Sequence, residues 1–225
     1  AIYIGGPAFE ARAAAGNSVE DIRSICDFAH LYGARVYVTL NTILYDDELS
    51  EAEKMVGQLY EAGVDALITQ DLALLKMNLP PIALHASTQM DTCTPEKAQF
   101  LERAGYSQIV VARELSLRQL RAISSAVSVP IEGFVHGALC VSYSGRCYVS
   151  QHCFGRSANR GCCAQFCRLN FDLVDANGKV LSTGHQLSMR DMNRTESIED
   201  MLDAGVSSFK IEGRLKDINY VRNVT

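Results

Sequence analysis

The chain has 225 residues, 48% of them hydrophobic and 21% charged, with a formal net charge of −5 at pH 7. This balance suits a soluble globular protein of one or two domains, and the negative charge argues against a broad cationic surface for nucleic acid while leaving room for a small basic patch. No apolar run approaches the roughly 18 residues that cross a bilayer and no signal-peptide pattern opens the chain, so a reducing, cytoplasmic setting without membrane contact is expected.

Both ends read as cut. The opening AIYIGG is already a strand running into a glycine turn, and the closing KDINYVRNVT has helical spacing at Ile218, Val221 and Val224 but stops without a cap. The expectation is an internal fragment of a larger protein. Ser18-x-x-Asp21 resembles a capping box, after which Val19, Ile22, Ile25, Ala29 and Tyr32 recur at helical spacing up to Gly33. RVYVTLN follows as a buried strand. The same unit returns in EAGVDALITQ, RAGYSQIVVA and DAGVSSFKIEG, where Gly63, Gly105 and Gly205 stand at left-handed helix ends. Thr94-Pro95 and Ser116-x-x-Gln119 mark two further helix starts.

The strands so predicted are YIGG, RVYVTLN, ALITQ, IALHAS, QIVVARE, PIEGFVHG and FKIEGR. Alternation with helices makes an α/β fold with a parallel sheet. The reading is a TIM-type (β/α) barrel truncated before its first strand, with a Cys-rich insertion and a β-hairpin before the last strand. Asn41, Gln70, His85, Arg113, His136, Glu212 and Arg214 fall at the C-terminal ends of these strands, where barrel active sites lie. Singly, each is more often a loop contact or a cap; several on one rim point to a site. No G-x-G-x-x-G follows a strand, which argues against a dinucleotide fold.

Six of the eight cysteines fall between Cys140 and Cys167, in a stretch that also holds Arg146, Arg156 and Arg160, with Arg168 at its edge, and no acidic residue. About seventy residues separate PIEGFVHG from FKIEGR, far more than an ordinary connection. The chain therefore divides into barrel strands and helices (1–139), a Cys-rich insertion with an Asn177-Gly178 hairpin (140–190), and a return to the last strand and the start of a final helix (191–225). Clustered thiols in a reducing compartment read as metal or cluster ligands more than as disulfides or core thiols. Cys26 and Cys93 read as spectators. Cys140 and Cys147 have six residues between them, and Cys163 and Cys167 form an i, i+4 pair that one helical turn would aim the same way. Four thiolates suit zinc or an iron–sulfur cluster, and by spacing alone Cys153 or Cys162 can replace a neighbour. The arginines are either a solvated face or a complement to an anion, with Arg156 and Arg160 the candidates for holding one.

The segment Glu132-Gly133-Phe134-Val135-His136-Gly137-Ala138-Leu139-Cys140, followed by Ser144-Gly145-Arg146-Cys147 and Ser150, resembles the signature of the collagenase-like peptidases of unknown catalytic type, family 32. YIGG, LHASTQ, GRSANRG and SFKIEGR extend the resemblance along essentially the whole chain. VTLNTIL, GRSANRG and CAQFCR are most similar to the branch that 5-hydroxylates a cytidine in bacterial 23S ribosomal RNA. The resemblance implies a 4Fe–4S cluster on Cys140, Cys147, Cys163 and Cys167, prephenate as a required metabolite, and ribosomal RNA or its precursor as partner. It leaves the electron donor open.

Three functions follow. The first is an RNA base hydroxylase, with His136, Arg113 and Glu212 as catalytic candidates and Asn41, Gln70, His85, Arg156, Arg160 and Arg214 as substrate-binding ones. Tyr143, Tyr148 and Phe154 are placed to stack on a base. The second is a collagenase-like peptidase of cysteine or metal type. It lacks an H-E-x-x-H helix or a G-x-S-x-G elbow, and its Cys–His pairs (through His136 or His152) and Ser207-x-x-Lys210 match have no third group. The third is a zinc-stapled structural or binding protein.

Overall fold

The computed structural model describes residues 1–11, 16–213 and 216–225; the candidate Arg214 lies outside them. Strands β1 (Ile2–Gly5), β2 (Val36–Leu40), β3 (Ala66–Thr69), β4 (Ala83–Ala86), β5 (Gln108–Val110), β6 (Ile131–Gly137) and β10 (Ser208–Ile211) form one sheet in the order β1-β2-β3-β4-β5-β6-β10, every pair parallel. These are the seven strands read from the sequence. Short β9 (Met192–Asn193) adds an antiparallel partner to the end of β6. Among the described residues no hydrogen-bonded pairing joins β1 to β10, so the sheet is open. It is nevertheless curled into a half-barrel. Lys210 of β10 puts its ammonium 4.0 Å from the ring centroid of Tyr3 on β1, so inward side chains of the first and last strands meet.

Helices α1 (Val19–Leu31), α2 (Leu49–Glu61), α3 (Pro95–Ala104), α4 (Leu117–Ser124) and α6 (Ile198–Asp203) follow the strands. Ser18, Thr94 and Ser116 cap their helices, each accepting a hydrogen bond from the backbone N–H three residues on. Ser116 and Gln119 complete a reciprocal capping box. The glycines after α2, α3 and α6 have φ of +89°, +113° and +90°, the left-handed conformation the pattern predicted. Outward strand residues Val36, Val38, Leu67, Ile109 and Ile131 pack with Ile22, Leu59, Leu101, Leu120 and Met201 of the helices into the main core. Each such side chain contributes roughly 1.5–3 kcal/mol by leaving water. Cys26 is sealed in this core and Cys93 packs against it, as spectators would.

The inward face differs. Val110, Phe134 and Met192 form a separate small apolar cluster there. Thr39, His85, Gln108, Glu132 and Lys210, in the same sheet, are buried polar or charged residues. Between β6 and β10 come α5 (Val149–Phe154) and the hairpin of β7 (Phe171–Val174) and β8 (Val180–Gly184), which pair with each other in a separate two-stranded sheet. Gly178, at φ +82°, makes the predicted hairpin turn, where Asp175 accepts hydrogen bonds from the N–H groups of Asn177 and Lys179. The last helix, α7 (Ile218–Val224), is capped by Asp217. No helix of the described residues is long and apolar enough to cross a membrane.

Candidate active site

The C-terminal strand ends and the cysteine insertion enclose a cavity of about 300 Å3. Its walls include Asn41, Ser87, Arg113 and Glu212 from the strand ends, and Cys140, Cys147, Cys163 and Cys167 from the insertion. Lys210, Tyr3 and Phe134 reach it from the strand interiors.

Local contacts explain why the insertion sits there. Gly145 has φ +71°, and a Cβ at this position would lie 2.2 Å from the carbonyl oxygen of Gln89, so only glycine lets the Cys140–Cys147 loop close onto the loop after β4. Gln70 holds that loop from the other side by donating from Nε2 to the Gln89 carbonyl at 3.2 Å. Glu114 accepts from both the N–H and the hydroxyl of Ser144 at 3.2 Å. Buried Ser150 on α5 accepts from the Ala164 N–H at 2.9 Å, joining the two halves of the insertion.

All eight cysteines are free thiols. Cys153 and Cys162, which spacing left open, are not among the residues lining the cavity. The expected single helical turn from Cys163 to Cys167 does not form. Gln165 takes a left-handed conformation, φ +52°, which turns its N–H back to Cys163 Sγ at 3.4 Å, and a short 3-10 turn then carries Cys167. Burial raises the pKa of Cys167, helped by nearby Cys140 and Cys163 and opposed by Arg168. Among the described residues no three His, Cys, Asp or Glu side chains stand in a ready-made metal-binding group. What the fold supplies is four soft sulfur donors lining one cavity, a donor set of the kind that suits zinc or an iron–sulfur cluster.

Arg113 and Glu212 meet: a guanidinium nitrogen donates to Glu212 Oε2 at 2.5 Å, and the guanidinium lies 4.2 Å above the Phe134 ring. Asn41 is buried in the wall, donating to Ser87 Oγ at 3.0 Å and accepting from the Ala11 N–H at 3.0 Å. Three further candidates do not line the cavity. Gln70 supports it from behind, as above. His136 has its Nδ1 paired with the Tyr220 hydroxyl at 2.7 Å. His85 lies deeper in the barrel interior, edge-on to Tyr37, with Nδ1 buried and lacking a partner. Burial, outweighing the attraction of Glu132, drops its pKa to about 4, so it is neutral at physiological pH.

The arginines of the insertion are mostly struts. Arg160, expected to hold an anion, forms two hydrogen bonds to Glu48, at 2.5 and 3.0 Å, a third to the Ile43 carbonyl, and stacks 4.1 Å over Tyr45. Its hydrogen bonds hold the Glu48 carboxyl below its usual pKa. Arg146 pairs with Asp91, and Arg168 donates to Ser188 and to the carbonyls of Met189 and Leu139. Arg156 is exposed and lies outside the cavity wall. The acid-free Cys140–Cys167 stretch thus finds counter-charges for Arg146 and Arg160 on the barrel loops. Tyr143 and Tyr148 are 66% and 62% exposed on the cavity rim, whereas Phe154 lies off it, against Phe166.

Sequence reasoning met Glu132 only within the family-like segment and Lys210 only in a Ser-x-x-Lys match, and gave neither a role; the two form a buried ion pair at 2.7 Å beneath the cavity. The available signal was alternation along β6, which puts Glu132 on the same face as Phe134, and a lysine in β10 two residues before Glu212.

Comparison with known proteins agrees with this architecture. The family model Peptidase family U32 matches residues 1–225. The chain is 57% identical over 226 residues to the 23S rRNA 5-hydroxycytidine C2501 synthase of Escherichia coli, covering 100% of this chain and 35% of that protein. It is 36% identical to tRNA hydroxylation protein P1 of Bacillus subtilis (100% and 56% covered) and 35% identical to a collagenase of Porphyromonas gingivalis (99% and 58% covered). The chain therefore spans between about a third and three-fifths of the length of these relatives. A solved structure of a U32 peptidase superposes with a TM-score of 0.53 at 20% identity over 61% of each chain, a likeness of fold.

Proposed function

The chain belongs to peptidase family U32, and from that premise we propose that the whole protein is an RNA-modifying hydroxylase that converts a cytidine of 23S ribosomal RNA to 5-hydroxycytidine. The observation that carries this reading is the shared cavity: four thiols and the Arg113–Glu212 pair line one space of about 300 Å3, enough for one nucleobase. Cys140, Cys147, Cys163 and Cys167 would hold a 4Fe–4S cluster, which supplies the one-electron chemistry that side chains lack.

The chain's own residues do the rest. Arg113, fixed by Glu212 and the Phe134 face, presents donors to the base, while Glu212 accepts. Tyr143 and Tyr148 offer exposed rings on which a base leaving its helix can stack. Exposed Arg156 would take a phosphate of the RNA. Prephenate as a required metabolite remains part of the proposal, supported by the sequence resemblance alone. The peptidase reading draws on the collagenase relative, but His136 is engaged with Tyr220 outside the cavity and forms no Cys–His pair. A zinc staple is compatible with the thiols and leaves the Arg113–Glu212 pair without a task.

The test is mass spectrometry of ribosomal RNA from a strain lacking the gene, complemented with wild type or Cys140→Ala, alongside the absorption spectrum and iron content of anaerobically purified full-length protein. Expected are loss of 5-hydroxycytidine on deletion, restoration by wild type only, and iron with sulfide in the wild type. A deletion strain that keeps its 5-hydroxycytidine, or a Cys140→Ala variant that restores it, would refute the assignment.

A further inference from the structure

The inward face of the sheet carries a second ion pair whose task the reading above leaves unassigned. Lys210 Nζ lies 2.7 Å from Glu132 Oε1, with the two side chains 8% and 7% exposed. The other oxygen of Glu132 accepts from Gln108 Nε2 at 2.7 Å and Ser208 Oγ at 2.8 Å. Burial pushes the Glu132 pKa up, but Lys210 and Ser208 overcome this and leave it below the usual value, so the carboxylate stays charged. His85 in the same interior is neutral and does not compete as a cation. Residues such as Val, Ile and Leu ordinarily fill this layer of a barrel without desolvating two charges, and a well-packed apolar replacement of a buried pair is often no less stable. Stability alone therefore does not account for the pair.

Its position suggests the task. The Lys210 ammonium is held 4.0 Å over Tyr3 and 5.8 Å from the Phe134 centroid, and all three residues line the cavity. The charged groups of the wall come as pairs: Arg113 with Glu212, Arg146 with Asp91, Lys210 with Glu132. Such a lining suits a neutral polar ring better than a free anion. We propose that Lys210 is a catalytic residue whose fixed positive charge meets an acceptor atom of a pyrimidine, its ring carbonyl oxygen or ring nitrogen, at the cavity floor, and that Glu132 positions it. This rests on the nucleobase reading above. The role is electrostatic: the ammonium offsets negative charge displaced onto the base as it reacts, and no bond is made or broken at Lys210.

The experiment uses full-length, cluster-loaded protein. Lys210→Met alone strands Glu132 and endangers folding, so the principal variant is Glu132→Gln/Lys210→Met, which removes both charges. Melting temperature, iron content and 5-hydroxycytidine formed in ribosomal RNA are measured together. The paired variant is expected to fold and carry iron like wild type yet lose about 100-fold or more of its modification rate. Should it fail to fold or load, Lys210→Arg preserves the ion pair but replaces a point charge by a planar fork, and about a tenfold loss is expected. Glu132→Asp, which keeps the charge, should retain more activity than Glu132→Gln. A folded, loaded paired variant within about threefold of wild type, or Lys210→Arg at the wild-type rate, overturns the Lys210 role alone. A wild type that forms no 5-hydroxycytidine overturns the hydroxylase reading and this proposal together.

Discussion

The two faces of the sheet are built on opposite principles. Outward, Val36, Val38, Leu67, Ile109 and Ile131 meet helices across a dry interface whose stability comes from area removed from water. Inward, Glu132, Lys210, Gln108, His85, Arg113 and Glu212 occupy positions that apolar side chains could fill. The outer face holds the fold; the inner face takes on desolvation cost to hold charges in fixed places beneath a cavity. The difference teaches where to look for chemistry in this protein: on the face that gives up stability.

The largest expected effect tests that contrast directly. Lys210→Met leaves Glu132 buried without its cation and should cost about 3–5 kcal/mol, whereas adding Glu132→Gln should recover most of the loss. On the outer face, Leu59→Ala, at a fully buried site of α2, should cost about 2–5 kcal/mol. A second truncation elsewhere in that core, such as Met201→Ala, should add to it rather than offset it. Chemical denaturation of the four variants and the double mutants decides the matter. Additive losses for Glu132 and Lys210 would show that the inner pair behaves like ordinary core.

The outer face was far more legible in the sequence than the inner one. β-branched runs, capping residues at Ser18, Thr94 and Ser116, and glycines at helix ends are local signals, and each specified its element. The four cavity thiols were legible because spacing gathered the candidates and the resemblance chose among them, leaving out Cys153 and Cys162, which do not line the cavity. The arginines were not. Whether Arg160 binds a ligand or a carboxylate depends on Glu48, 112 residues away, and no local pattern reports that. His136 likewise ends a strand as a catalytic residue would, but its partner Tyr220 is 84 residues on. Barrel closure was also beyond reach, since it depends on pairing between the chain's outermost strands.

A smaller effect concerns pH and belongs to the inner face alone. His85 titrates at about 4 in the folded protein against an ordinary 6.5. Between these values the unfolded chain binds the proton and the folded one does not. The associated stability is therefore fully present above pH 6.5 and is lost as pH falls towards 4, by about 3 kcal/mol in all. Denaturation midpoints between pH 7 and pH 4 should show this slope in wild type and a flatter one in His85→Gln. Equal slopes would mean that His85 is not the buried neutral group the interior makes it.

The smallest effect lies where the inner face meets the last helix. The Tyr220 hydroxyl and His136 Nδ1 are 2.7 Å apart, with the rings edge-on at 5.6 Å, so α7 is latched to the end of β6 through one polar contact and one ring contact. Tyr220→Phe keeps the ring and removes the hydroxyl. Because His136 is only half-buried, water can replace the lost partner, and the cost should be about 1 kcal/mol. The change should appear as faster hydrogen exchange in α7 with little movement of the global melting temperature. His136 lies outside the cavity wall, so the RNA modification proposed for the whole protein should stay close to wild type in Tyr220→Phe. A large loss of modification with α7 still protected would instead place His136 in the chemistry and return it to the list of catalytic groups its position at a strand end suggests.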